Sequence, residues 1–225
     1  MINKKVIFEA NAFRRVPIHL GAKIDFLPDG TLLLTSGDGF DYKEQAQSLN
    51  NHFGKIIRLN KDGSVPSDNP FVDIPNALPE IFSYGHRNMQ GLVVMEDGRI
   101  FEHEHGPRGG DEFNLIEPGK NYGWPAITYG IDYSGAVISP FTKMDGMEQP
   151  LKYWVPSIAP SDMIYYDGDL YPELKNSFLV TALKSRDVKK VKKINSVFSE
   201  ESIFSNLKSR LRSIGISPSG EMYLL

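Results

Sequence analysis

Three stretches of the chain share one form: FLPDGTLLLT (26–35), VMEDGRIFEH (94–103) and ISPSGEMYLL (216–225). Each has an apolar residue, a polar-glycine turn and then an apolar strand. Asp167 and Gly168 sit at a similar stage between the second and the third. The interval from Gly30 to Gly98 is 68 residues and that from Gly98 to Gly168 is 70. Hairpins recurring at this period are the mark of a β-propeller, in which each blade is a small antiparallel sheet. Asp-Gly between apolar runs is also the commonest hairpin signal, so a sandwich stays open as the competing architecture. At about 40–50 residues per blade, 225 residues make roughly four or five blades. The last repeat stops inside its strand and the chain begins in one, so the propeller is expected to be incomplete.

Other local signals agree with an all-β chain. Short apolar runs at 6–8, 31–35, 55–59, 177–182 and 189–194 are bounded by Gly, Pro, Asn or Asp and read as strands. Fifteen prolines and 20 glycines punctuate the chain too often for a long helix. Residues 41–51 and 199–205 are each read as a short helix or turn. Residues 1–225 are taken as one domain, large enough to bury a core. The 25 Lys and Arg against 28 Asp and Glu give a net charge of −3, which argues against a nucleic-acid partner. No apolar run approaches the ~20 residues of a membrane helix. Cysteine is absent, so disulfides and thiolate metal sites are excluded. The opening MINKKVIFEA alternates like a strand and does not read as a signal peptide.

Several stretches carry chemistry. His19 precedes a hairpin and Asp38 follows it, so the two ends can lie side by side. A carboxylate there would fix the imidazole tautomer, as a general base requires, although for the pair taken alone a structural hydrogen bond is the simpler reading. In SYGHRNMQGL, Arg87 and Asn88 follow a glycine and a histidine in a loop, where they suit a carboxylate or a polarised carbonyl. Lys184 is placed at the end of a strand, and Arg210 and Arg212 flank Leu211 at the spacing that puts both on one strand face. The run 188–194, VKKVKKI, reads as lysines guarding an outer edge. The stretch 102–124, EHEHGPRGGDEFNLIEPGKNYGW, crowds histidines, carboxylates and glycines together, as a surface loop or the wall of an ion site would.

The series HLGAKIDFLPDG, SGDGFD, GHRNMQGL, EHGPRGGDEFNLIEPGKNYGWP, SIAPS, TALK and RLR resembles the soluble pyrroloquinoline-quinone (PQQ) dependent aldose sugar dehydrogenases, the glucose/sorbosone dehydrogenases. It runs in the family's order over nearly the whole chain. The resemblance implies a six-bladed propeller with PQQ across its top, held by calcium, and the oxidation of aldose sugars to lactones. His19 then corresponds to the general base and Asp38 to the carboxylate that orients it. Arg87, Asn88, His105, Tyr133, Lys184, Arg210 and Arg212 correspond to cofactor contacts. The Gly106 and Pro107 carbonyls correspond to ligands of the cofactor's calcium, and Glu112 with the Tyr122 backbone to a second calcium site. Oxygen donors suit calcium and weigh against zinc on His103 and His105. Family members carry further sequence ahead of the matched region, including a glutamine near the cofactor, which is expected to be missing here. The resemblance also implies an aldose substrate, an unidentified electron acceptor, a periplasmic or secreted location and a monomer or homodimer without membrane insertion. A non-catalytic partial propeller that binds sugar or calcium is the alternative function. Exposed sheet edges are expected to favour self-association.

Overall fold

The computed structural model describes residues 4–225. Its strands follow one another with no α-helix among the described residues, and they build four antiparallel sheets. The first sheet meanders through β1 (Gly21–Phe26), β2 (Leu32–Ser36), β3 (Lys55–Leu59) and β4 (Ile81–Tyr84). The second takes β5 (Met89–Val94), β6 (Ile100–Glu104), β7 (Asp111–Ile116) and β8 (Lys152–Trp154). The third takes β9 (Pro160–Tyr166), β10 (Ser177–Ala182), β11 (Val188–Ile194) and β12 (Val197–Ile203). A final pair joins β13 (Ile214–Ile216) to β14 (Met222–Leu224). The first strand of each sheet lies beside the first strand of the next: β1 by β5, β5 by β9 and β9 by β13. Sheets related in this way are arranged as propeller blades are.

The cores lie between consecutive sheets. Leu33 and Ile56 meet Met89, Leu92, Ile100 and Ile116 across the first interface. Phe101 and Phe113 meet Met163, Phe178 and Val180 across the second. Tyr166, Leu179 and Val188 meet Leu211 and Ile214 across the third. A strand with a partner sheet on each side must be apolar on both faces. This explains why β10, between the second sheet and the final pair, is buried at every residue, whereas β3 in the first sheet is covered on its other side by Phe8 and Val65.

The expected strands at 55–59 and 177–182 form with those bounds, that at 31–35 moves by one residue to 32–36, and that at 189–194 begins one residue earlier. Residues 6–8 are not a strand. Phe8 instead packs its ring on His52 and against Leu32, Ile57 and Leu59, covering the first sheet through side chains rather than ladder hydrogen bonds. Residues 43–47 make a short 3-10 turn. The expected helix or turn at 199–205 is instead mostly strand β12, which pairs along its whole length with β11 and sets Glu201 opposite Lys190. Lys190 faces Glu201 and bonds it at 2.5 Å. VKKVKKI is therefore an interior strand and β12 is the edge, which corrects the reading of those lysines as edge guards.

Candidate active site

The turns at one end of the first two sheets bring His19, Asp38 and Arg87 together. His19 adopts a left-handed φ of 50°, a strained geometry for a non-glycine residue that functional sites often retain. Gly37 allows this close approach, since a Cβ there would meet the His19 carbonyl oxygen at 2.2 Å. The Asp38 N–H donates to the Arg87 carbonyl at 2.7 Å, joining the two sheets at this point.

Asp38 is almost fully buried and every side of its carboxylate is used. Oδ1 accepts from His19 Nδ1 at 2.7 Å and from the Phe40 N–H at 2.9 Å. Oδ2 accepts from the Trp124 indole Nε1 at 2.8 Å. An ionised carboxylate only accepts, so Nδ1 carries the proton and Nε2 is left as an acceptor. The Phe40 ring meets His19 edge-on at 5.1 Å. Trp124 belongs to the NYGWP motif, yet neither composition nor spacing signalled its contact with Asp38; the two residues lie 86 positions apart.

A cavity of about 280 Å³ opens on this pair. His19, Asp38, Arg87, Pro107, Trp124 and Tyr133 line it. Arg87 is held from several sides. Its Nη1 donates to the carbonyls of His105 and Gly106 at 2.9 and 2.8 Å, and its guanidinium lies 5.2 Å over the Trp124 ring. Its backbone N–H donates to Glu104. The cavity thus offers an imidazole acceptor and a fixed cation together.

The loop 105–110 is pinned by Asp111, a fully buried residue that sequence reasoning passed over. Its carboxylate accepts from the Gly106 N–H at 2.9 Å, the Ser157 hydroxyl at 2.7 Å, and the Ile158 and Ala159 N–H groups at 2.8 and 3.0 Å. A Cβ on Gly106 would meet the carbonyl oxygens of Gly109 and Gly110 at 2.3 Å, so this fold-back needs glycine. Among the described residues, the carbonyls of Pro107 and Tyr122 accept no hydrogen bond, and Glu112 receives only the Asn114 amide, at 3.5 Å. The Gly106 carbonyl is engaged by Arg87 and keeps a second lone pair. Free, hard oxygen donors of this kind fit calcium.

The remaining predicted contacts separate into groups. Asn88 is buried, accepts from Gln90 at 3.0 Å and receives the His105 N–H on its carbonyl. His105 Nε2 lies 2.5 Å from the Pro160 carbonyl. Burial holds His105 below the ordinary histidine value, opposed by Asp111 and reinforced by Arg87 and His19. Tyr133 is exposed at the cavity mouth. Lys184 lies beyond the end of β10 and lines a separate cavity with Val155 and Ser157. Arg210 and Arg212 precede β13 in a segment outside any strand, with Leu211 buried between them. All three cations are exposed, and none forms an ion pair among the described residues. His103 packs against Gly91, and burial pushes its imidazole down to about 3. Trp154 lies in the core of the second interface and bonds Glu200.

The repeated sheets thus set a histidine–aspartate pair and a fixed arginine against one cavity. The glucose/sorbosone dehydrogenase family model matches residues 1–225, and the chain belongs to that family. It is 38% identical over 232 residues to the aldose sugar dehydrogenase YliI of Escherichia coli, covering 98% of this chain and 62% of the other. A solved glucose dehydrogenase structure superposes with a TM-score of 0.94 at 40% identity, covering 98% of this chain and 65% of that one. The PQQ-bound form of the aldose sugar dehydrogenase of Streptomyces coelicolor gives a TM-score of 0.70 at 29% identity, covering 91% and 55%. The chain therefore spans roughly three-fifths of the length of these relatives.

Proposed function

We propose that the chain carries the catalytic centre of a PQQ- and calcium-dependent dehydrogenase that oxidises aldose sugars to lactones. The observation that carries this reading is the His19–Asp38 pair facing the same cavity as the Arg87 guanidinium. The PQQ-bound relative supports the choice of cofactor. The wider setting by resemblance is a six-bladed ring exported to the periplasm or beyond, passing its electrons to a separate acceptor.

In this reading His19 Nε2 takes the proton of the anomeric hydroxyl. Asp38 holds the ring in the tautomer that permits this and stabilises the imidazolium that forms. Trp124 holds Asp38 in turn. Bound PQQ supplies the acceptor for the hydride that leaves the same carbon, so proton and hydride together account for the lactone. Arg87 and Asn88 orient the cofactor's carbonyl edge, and the fixed guanidinium favours negative charge developing there. The Gly106 and Pro107 carbonyls would hold the cofactor's calcium. Glu112 and the Tyr122 carbonyl would hold a second calcium away from the reaction. Lys184, Arg210 and Arg212 serve as free cations for the cofactor's carboxylates, and His105 and Tyr133 complete its surroundings.

The test is reconstitution with PQQ and calcium, followed by dye reduction with a panel of aldoses. Turnover is expected, and His19→Ala should lower kcat by about 10²–10⁴-fold, the usual span of a general base. PQQ-dependent turnover that survives His19→Ala would refute the assignment.

A further inference from the structure

The face of the β6–β7 hairpin turned toward the first sheet carries a patch of polar side chains that the proposed reaction does not use. Glu102 lies opposite Asn114 and Glu104 opposite Glu112. His86, from the β4–β5 loop, completes the group. His86, Glu102 and Asn114 are 0% exposed and Glu104 is 3% exposed. One ligand-type atom from each of His86, Glu102 and Glu104 lies within 4.8 Å of the others.

The imidazole is oriented from behind. Its Nε2 is bonded to Ser83 Oγ at 2.9 Å and its ring stacks on Tyr122 at 4.6 Å. Nδ1 is thereby turned to Glu104 Oε1 at 3.6 Å, too far for a hydrogen bond. Glu104 is itself oriented by the Arg87 N–H, and Glu102 Oε2 by the Asn114 amide at 3.3 Å. Three atoms are left without a partner although fully buried: His86 Nδ1, Glu102 Oε1 and Asn114 Oδ1. A buried polar atom left without a partner is costly, and more so when it is charged.

A proton is the simplest filler. Burial, with Glu104 and Glu112 nearby, pushes the Glu102 carboxyl well above its ordinary range. A proton on Glu102 could satisfy one oxygen, but it leaves His86 Nδ1 and Asn114 Oδ1 unpaired. One cation among His86 Nδ1, Glu102 and Glu104 pairs the open nitrogen and balances both acids at once.

We propose that His86, Glu102 and Glu104 bind a divalent first-row transition ion, Zn²⁺ or Mn²⁺. The imidazole nitrogen separates this site from the all-oxygen arrangement at Glu112 and Tyr122. The ion clamps the loop that carries Arg87 to strand β6, so it braces the active site without taking part in the reaction. This does not depend on the dehydrogenase reading.

The experiment uses the full chain without PQQ or sugar. The protein is stripped with EDTA, then dialysed against Zn²⁺, Mn²⁺ or Ca²⁺, desalted, and measured by plasma mass spectrometry and thermal melting. About one equivalent of zinc or manganese is expected to stay bound and to raise Tm by roughly 5–10 °C, as a ligand present at about 100 times its Kd would. Glu102→Gln is expected to lose both effects, whereas Glu112→Gln keeps them. If Glu102→Gln does not fold, visible absorption of the Co²⁺-loaded wild type reports nitrogen and oxygen ligation directly. No retained transition ion in the wild type would overturn the proposal and leave a protonated Glu102. Retention unchanged in Glu102→Gln would overturn it too, as would calcium bound alone and lost in Glu112→Gln.

Discussion

The two faces of the β6–β7 hairpin are made by the same strands and are equally deep, yet they are held by opposite means. On the side toward the third sheet, Phe101 and Phe113 stack at 5.7 Å and meet Phe178 at 4.5 and 5.1 Å. On the other side stand Glu102, Glu104, Glu112 and Asn114. Strand alternation sends neighbouring residues to opposite faces, so aromatic packing and buried acid sit one residue apart. The aromatic face is held by shape, since dispersion and burial are indifferent to partner identity, and the polar His103 on it is buried as a neutral ring. The acidic face needs donors or ions, and the protein's own groups supply too few.

Asp38 shows the opposite solution to the same problem. Like Glu102 it is a buried carboxylate, but His19, the Phe40 N–H and Trp124 supply a donor to each oxygen. Buried acids therefore fall into two kinds: those completed by the chain, such as Asp38 and Asp111, and those that leave room for something else.

Neighbouring substitutions test the contrast most directly. Phe113→Ala should cost about 3–5 kcal/mol of stability in urea unfolding, since a large ring is removed from a packed core. Glu112→Gln, one residue away, should cost almost nothing in chelator, because burial and Glu104 already push that carboxyl up toward its neutral form. A comparable loss at both positions would break the distinction between the faces.

A smaller effect is expected where the chain completes its own carboxylate. Trp124→Phe keeps an aromatic ring under Arg87 but removes the donor to Asp38 Oδ2. In the reconstituted enzyme kcat should fall about tenfold, a barrier rise of about 1.4 kcal/mol, with KM changed less. An unaltered kcat would show that the His19 pair needs no third member.

The smallest effect concerns Glu80, whose carboxyl His52 holds below the ordinary range through a hydrogen bond at 3.0 Å, against the opposing effect of burial. A depressed acid adds stability above its unfolded value of about 4.3 and loses it as pH falls through the folded value. Glu80→Gln should therefore be less stable than the parent at pH 7 by up to about 1 kcal/mol, with the gap closing below pH ~4. A gap that stays constant from pH 7 to pH 3 would show that the pair contributes through packing alone.

Much of this arrangement is legible in the sequence. The polar-glycine hairpins announced repeated antiparallel sheets, and the strands 55–59 and 177–182 were bounded correctly because apolar runs stop where turn residues begin. His19 and Asp38 were paired from a hairpin's geometry alone. Strand β12 reads as a helix or turn in the sequence because its polar run carries no alternation, and only pairing with β11, with Glu201 opposite Lys190, makes it a strand. The lysines of β11 read as an edge for the same reason.

Trp124 and Asp111 escaped notice because their partners are distant in sequence: 86 residues separate Trp124 from Asp38, and 46 separate Asp111 from Ser157. The order of residue types along the chain determined the all-β character, the sheet repeat and the family, since alternation and turn chemistry act over a few residues. Only the tertiary structure decided which carboxylates are satisfied and which are left open. A buried acid's state depends on what the neighbouring sheet places within 3 Å of it, and no local pattern encodes that.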